Sequence, residues 1–156
     1  MTKEAPAERT LGTNRKAFFE YEILDRLEAG VCLVGSEVKS VREGGLNFRD
    51  AHVEIREGEA RLVDCHIAPY SHANRQNHET GRTRRLLLHR KELDRLGSKV
   101  TEKGLTLVPL KAYMRRGRVK IEIGLARGKK LHDKRASIRE KEIARETRRA
   151  SRSRGD

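Results

Sequence analysis

Four groups of cationic side chains stand out by type and spacing. Arg15-Lys16 is the first, Arg82, Arg84 and Arg85 the second, and Arg115, Arg116 and Arg118 the third. The fourth is the octet Gly128-Lys129-Lys130-Leu131-His132-Asp133-Lys134-Arg135, which opens a strongly basic arm. Guanidinium and ammonium groups neutralise phosphates, and arginine can do so with two parallel hydrogen bonds. One such cluster is an ordinary solvated face. Four of them, with a cationic arm, point to RNA or DNA. Tyr21, Phe48 and Tyr70 offer rings for base stacking, although Phe48 also fits a core position. Aromatics are only 4% of the chain, so backbone and shape recognition are expected to dominate.

Other chemistries fit the residues less well. Glu37, Asp50 and Glu54 could be paired carboxylates of a nuclease, but acidic residues on exposed strand faces are ordinary. The chain has no glycine-rich phosphate loop, no Gly-x-Ser-x-Gly and no His-Glu-x-x-His, so no catalytic residue and no cofactor are assigned. Cys65, His66, His72 and His78 match no zinc spacing, and adjacent strand residues face opposite ways, so no metal site is assigned. The arm lacks an apolar face, which argues against a membrane-surface helix.

The charge balance supports the same reading. The formal net charge is +13 over 156 residues, and residues 127–156 carry 12 Lys or Arg against 5 Asp or Glu. More than half of the excess thus sits in the last fifth of the chain. A polyanionic partner follows. No run is long enough to span a membrane and no apolar signal segment follows Met1, so a cytoplasmic location is expected. Cys32 and Cys65 both fall in apolar runs and are expected to be buried, reduced thiols.

The elements that position these residues can be read from periodicity. Residues 1–13 show none and read as a loose leader. Asn14-Arg15-Lys16 opens a predicted helix that carries Phe18, Ile23, Leu24 and Leu27 and stops at Gly30. Val31 to Val34 reads as a buried strand. Ser36 then caps a short helix that ends at Gly44-Gly45. Phe48–Arg56 and the segment returning from Glu57-Gly58-Glu59 form a predicted hairpin, with Arg61, Val63, Cys65 and Ile67 sharing one face. Residues 69–82 read as a long loop. Thr83–Leu88 is a strand, and a helix follows with Leu93, Leu96 and Val100, capped by Gly104. Leu105–Tyr113 and Arg118–Leu125 form a second hairpin, with Pro109 marking an edge or bulge.

The expected fold is mainly β: a small antiparallel barrel of about six strands with three helices at its ends. Residues 14–126 form the body and 127–156 the arm. In the arm, Ser137-x-x-Glu140 fits a capping box and opposite charges recur at i, i+3. Its few apolar residues make no stripe able to pack on the body. The arm is therefore expected to be disordered when free and helical once a polyanion neutralises it.

Several motifs occur in an ordered set. They are Asn14-Arg15-Lys16-Ala17, Tyr21 to Gly30, Gly35-Ser36-Glu37-Val38-Lys39-Ser40, Arg82-Thr83-Arg84-Arg85-Leu86-Leu87-Leu88, and the basic octet. Together, over about residues 14–145, the chain resembles the SsrA-binding proteins of bacteria, the small protein B (SmpB) family. The resemblance implies an oligonucleotide-binding (OB-like) barrel that binds the tRNA-like part of tmRNA. It also implies a monomer that delivers this RNA to ribosomes stalled on truncated messages, in trans-translation. The tail would probe the empty mRNA channel near the decoding centre and 16S rRNA. By the same resemblance, tmRNA contact falls to Asn14, Arg15, Lys16, Tyr21, Glu28, Leu87 and His89, and the basic cluster adds Arg82, Arg84 and Arg85. Position 89 is often Asn in relatives. Ribosome contact falls to Lys129, Lys130, His132, Asp133, Lys134 and Arg135. The competing class is a structural ribosomal protein with a basic rRNA-binding arm.

Overall fold

The computed structural model describes residues 8–73 and 77–153, except for the side chains of Leu131, His132, Asp133 and Ser153. Along the chain run β1 (Arg9–Thr13), α1 (Arg15–Glu20), β2 (Tyr21–Val31), α2 (Gly35–Arg42) and β3 (Leu46–Asn47). They are followed by β4 (His52–Arg56), β5 (Glu59–Val63), β6 (His66–Ile67), β7 (Arg84–Leu87) and α3 (Arg90–Lys103). The last elements are β8 (Thr106–Arg115), β9 (Arg118–Gly128) and α4 (Leu131–Ser153).

Six strands pair in a ring, β8-β4-β5-β7-β2-β9 and back to β8, with every pairing antiparallel. The weakest seam is β4–β8, where only Val53 and Leu107 are in register. The result is a small OB-like barrel of the expected kind. Both hairpin turns have two residues at positive φ, Glu57-Gly58 at 55° and 73° and Arg116-Gly117 at 50° and 73°. That geometry matches the right-handed twist of the flanking strands. Pro109 lies at the register shift of β8, as a residue without an N–H requires. Inside, Phe48, Leu62, Leu86, Leu107, Ile121, Ile123 and Leu125 form the main cluster. Leu96 of α3, fully buried, plugs one end. Ala17 of α1 packs on Val108, Leu110 and Ala126 in a second cluster. No described helix is long and apolar enough to cross a membrane.

Several local expectations are corrected. The helix predicted over 14–29 stops at Glu20, and Tyr21–Val31 is an 11-residue strand. Its odd-numbered residues turn inward and its even-numbered ones outward, which is period two. Leu24, 45% exposed, is the residue that imitated a helical stripe. A long ladder with β9, from Tyr21↔Gly128 to Gly30↔Lys120, overrides local helix propensity. Arg9–Thr13 is not leader but a strand on the edge of β8; residues 1–7 lie outside the described part. The strand predicted through Val34 ends at Val31, and Cys32 is exposed while Cys65 is buried; both are free thiols. Burial pushes the Cys65 thiol up to about 11. Ser36 does not cap α2. The Val34 N–H instead donates to Glu37 Oε1 at 3.0 Å, and the Ser36 hydroxyl meets His78 Nδ1 at 2.9 Å. Ala60 and Leu62, not Arg61 and Val63, face the core, because Asp64 at φ 58° flips the phase before Cys65 and Ile67.

The largest departure from the sequence reading is Arg84, fully buried on β7. Its Nε donates to Glu37 Oε2 at 2.5 Å, and Glu37 is also fully buried. Its Nη1 reaches the Cys65 carbonyl at 2.6 Å, and its Nη2 the Thr80 carbonyl at 3.2 Å. Arg82 Nη2 adds a bond to Glu37 Oε1 at 2.5 Å. Burial opposes ionising Glu37 more than any one contact favours it. Hydrogen bonds from Arg82, the Val34 N–H and Arg84 together outweigh it and hold the carboxyl below the usual range.

The arm forms a helix, α4, with Ile138 44% and Ile143 57% exposed. Contacts with the body gather at its start: the ammonium of Lys129 donates to the Phe18 carbonyl at 3.2 Å and to Ser137 Oγ at 2.9 Å. One turn on, Lys141 lies 5.6 Å from the centre of the Phe19 ring.

Three outcomes follow. Arg84→Met should cost about 3–5 kcal/mol in chemical denaturation, since it leaves Glu37 a buried charge short of its partner. Adding Glu37→Met should restore part of the loss. Because the folded Glu37 carboxyl titrates low, its contribution is complete above the ordinary glutamate pKa of about 4.3. It disappears as pH falls through the folded value, so the wild type should lose stability there and Glu37→Gln should lose less. Amide hydrogen exchange should show little protection in α4 beyond Ser137 in the free protein, with protection gained on binding a polyanionic RNA.

Candidate nucleic-acid interface

Alternation along the barrel strands sends apolar residues in and charged residues out. On β7 the outward residues are Arg85 and Leu87, and on β2 they are Leu24, Arg26 and Glu28. On β9 they are Arg118, Lys120 and Glu122, and on β8 Lys111, Tyr113 and Arg115. Gly30 pairs with Leu87 on one side and Lys120 on the other, so these three lie in a row across β7, β2 and β9. A Cβ at Gly30 would stand 3.3 Å from Leu87 Cβ. The glycine thus lets Leu87 lie over β2, where it remains 51% exposed. An exposed leucine flanked by cations is a suitable contact for a base or ribose face.

Two carboxylates also lie on this face, with Glu28 directly opposite Glu122. Each is matched by cations. Glu122 takes Arg26 at 3.2 Å and Lys111 at 3.6 Å. Glu28 accepts from the Tyr113 hydroxyl and from Arg115 Nη1 at 3.0 Å. The Tyr113 hydrogen bond, chiefly, holds the Glu28 carboxyl below its ordinary value. Burial first, and then that same bond, raise the Tyr113 phenol.

A concavity of about 340 Å³ lies beside α1 and is lined by Lys16, Tyr21, Arg49 and His52 among others. Asn14 forms its floor and is 6% exposed. The Asn14 side-chain oxygen Oδ1 accepts from the Ala17 N–H at 3.2 Å and its Nδ2 donates to the Pro109 backbone carbonyl at 2.8 Å. Asn14 therefore caps α1 and ties it to the β8 bulge. Lys16 and Asp50 form an exposed pair at 2.8 Å.

The structure thus sorts the sequence candidates. Arg85, Leu87 and Glu28 share one outer face, with His89 exposed at the head of α3 next to it. Arg15, Lys16 and Tyr21 gather at α1. Arg84 and Asn14 are internal, so they act on the fold. Arg82 is divided, with one end on Glu37 and its side chain 37% exposed. Lys129 is engaged with α1, while Lys130 and Arg135 are exposed and Lys134 half-buried. The His132 and Asp133 side chains lie outside the described residues. Sequence reasoning missed Tyr113 and Arg26 as parts of this face. For Arg26 the signal was the alternation of β2, hidden by the helical reading. For Tyr113 there was none, because a tyrosine in an apolar strand reads as core. Among the described residues no group of three or more His, Cys, Asp or Glu is placed to hold a metal.

A model of the SmpB protein family matches residues 11–153. The chain is 51% identical over 150 residues to the SsrA-binding protein of Syntrophobacter fumaroxidans, covering 94% of this chain and 93% of that one. It is 53% identical over 146 residues to the SsrA-binding protein of Syntrophotalea carbinolica, covering 94% and 97%. It also resembles a chain from a solved structure described as "tmRNA-SmpB: a journey to the center of the bacterial ribosome". The TM-score is 0.65 at 49% identity, over 77% of this chain and 85% of that one.

Arg85 is the cation on this face that sequence and structure both single out, with its side chain 59% exposed. Arg85→Gln should weaken RNA binding at low salt and reduce the slope of log affinity against log salt by about one. Melting should be near wild type, in contrast to substitutions at Arg84.

Proposed function

The chain belongs to the SmpB family, and from that premise we propose that it is a non-enzymatic RNA-binding adaptor of trans-translation. It binds the tRNA-like part of tmRNA with its barrel and brings that RNA to ribosomes stalled without a complete message. The body through Ala126 supplies the RNA-binding surface. The arm, 127–156, enters the vacant mRNA channel near the decoding centre and is read there as a helix. The protein acts as a monomer in the cytoplasm.

One observation carries this reading: the division of the molecule into a packed barrel with a cationic outer face and a helix with contacts to the body, from Lys129 and Lys141, near its start. Beyond Lys141 no described α4 residue is buried, and Arg145, Arg148, Arg149 and Arg152 are all exposed. A helix so charged gains little from its own domain. It gains much from a channel walled by phosphates, where each neutralised phosphate releases a counterion. The barrel does not depend on it, because the core clusters draw only on residues before 127.

Deleting residues from Ser137 onward should leave tmRNA affinity within about threefold of wild type, while tagging of incomplete proteins on stalled ribosomes is abolished. Affinity is read by titration against tmRNA and bulk tRNA at two salt concentrations, and tagging by reconstituted translation of a message lacking a stop codon. Loss of both functions together would overturn the division of labour. Equal binding of the two RNAs, collapsing with salt, would favour a ribosomal protein with an rRNA-binding arm.

A further inference from the structure

One buried hydroxyl is committed to the outer face of the barrel. Tyr113 is 4% exposed, yet it belongs to none of the hydrophobic clusters. It lies across β9, and its hydroxyl donates to Glu28 Oε2. Arg115 Nη1 donates to that same oxygen at 3.0 Å. Glu28 Oε1 accepts no hydrogen bond from the described residues, and the Glu28 side chain is 34% exposed. Glu28 lines a cleft of about 560 Å³ with Arg115, Arg116, Arg118 and Lys120.

On charge alone this carboxylate is misplaced. It sits among cations suited to phosphates, and there it repels the polyanion they attract. Its geometry resolves the conflict. Two donors converge on one oxygen and hold the group in one orientation, which leaves the other oxygen to accept. A carboxylate acceptor is selective: it takes N–H and O–H groups of a nucleotide and rejects phosphate, base carbonyls and bare ring nitrogens.

We propose that Tyr113 is a positioning residue. Together with Arg115 it fixes Glu28 through Oε2, so that Oε1 accepts a hydrogen bond from a nucleotide N–H or O–H donor while Arg116, Arg118 and Lys120 hold the adjoining phosphates. The proposal rests on the RNA-binding reading and adds a source of discrimination to it. The cations supply affinity for any RNA, and the oriented carboxylate supplies preference for the RNA that brings a donor to this place.

The test is a titration of wild type, Tyr113→Phe, Glu28→Gln and the double variant against tmRNA and bulk tRNA at two salt concentrations, with melting curves for each. Tyr113→Phe should weaken tmRNA binding roughly fivefold to tenfold with an unchanged salt slope, because no cation is lost. Glu28→Gln should also weaken tmRNA binding, although it removes a negative charge, and should leave bulk tRNA binding equal or tighter. The double variant should be no weaker than Glu28→Gln alone, since Tyr113 acts through Glu28. Tighter tmRNA binding by Glu28→Gln would overturn the proposal, because the carboxylate would then be only a repulsive charge. So would wild-type affinity in Tyr113→Phe, or additive losses in the double variant. Should Tyr113→Phe melt early, Glu28→Gln, at an exposed side chain, decides the matter by the sign of its effect. Equal binding of both RNAs by the wild-type protein would overturn the RNA reading itself. A wild-type preference left intact in the variants would overturn this proposal alone.

Discussion

The charge pair between Glu37 and Arg84, both fully buried, is the constraint on which the body depends. A charge in a dry interior is tolerable only when its partner and its remaining hydrogen bonds are all in place. Glu37 brings α2 and the Val34 N–H to the pair. Arg84 brings β7, the Cys65 carbonyl between β5 and β6, and the Thr80 carbonyl at the end of the long loop. The Thr80 carbonyl in turn accepts from the Ile67 N–H of β6. A slip of one residue in β7 would turn Arg84 outward, bring Arg85 in, and break every one of these contacts. The pair thus fixes the register of β7. That register determines that Arg85 and Leu87 face outward over β2.

That dependence explains what could and could not be read from the residue order. Strands whose partners lie next to them in the chain were legible. Val119, Ile121, Ile123 and Leu125 alternate without interruption, and the structure puts all four inside. Pro109 gave away its bulge because a missing N–H has few tolerable places in a sheet. Glu37 and Arg84, 47 residues apart, carried no local signal. Arg84 beside Arg85 reads as a surface cluster, and only the alternation of a four-residue strand separates an internal guanidinium from an external one. The outer face was legible in part, as clusters of charge. The grouping of Glu28 with Tyr113 and Arg115 was not, because it spans β2 and β8 with β9 between them.

The misread helix at Tyr21–Ala29 has the same origin. Its sequence satisfies two periodicities, and the one that prevailed is the one with a partner. Period two pairs the segment with β9 over nearly its whole length and buries Ala29 in the core and Ile23 beside the second cluster. Period 3.6 offers no comparable surface to cover. The price is Leu24, left outside near Asp25, Lys99 and Lys103. The phase flip at Asp64 is the converse case. There the pattern was simple, but one residue at positive φ, uncommon outside glycine, broke it.

The arm follows from the opposite physics. A 23-residue helix is long enough to form, yet isolated helices of ordinary composition are marginal in water. Most protein helices are stabilised by an apolar face packed on a core. In α4 the large apolar residues after Ser137 are Ile138 and Ile143, both exposed. Its opposite charges at i, i+3 favour the helical form by tenths of a kcal/mol per pair. That brings α4 near balance without committing it. A helix near balance would respond to its surroundings: under the proposed function, phosphates that neutralise its arginines would tip it toward order. A self-packing arm would lack that response, because its own domain would compete with the partner for the same face. Lys129, bonded to the Phe18 carbonyl, keeps the root of this responsive segment fixed on α1. The barrel therefore sets where the arm begins, and under the proposed function a polyanion that meets the arm would set how far the rest of it is ordered.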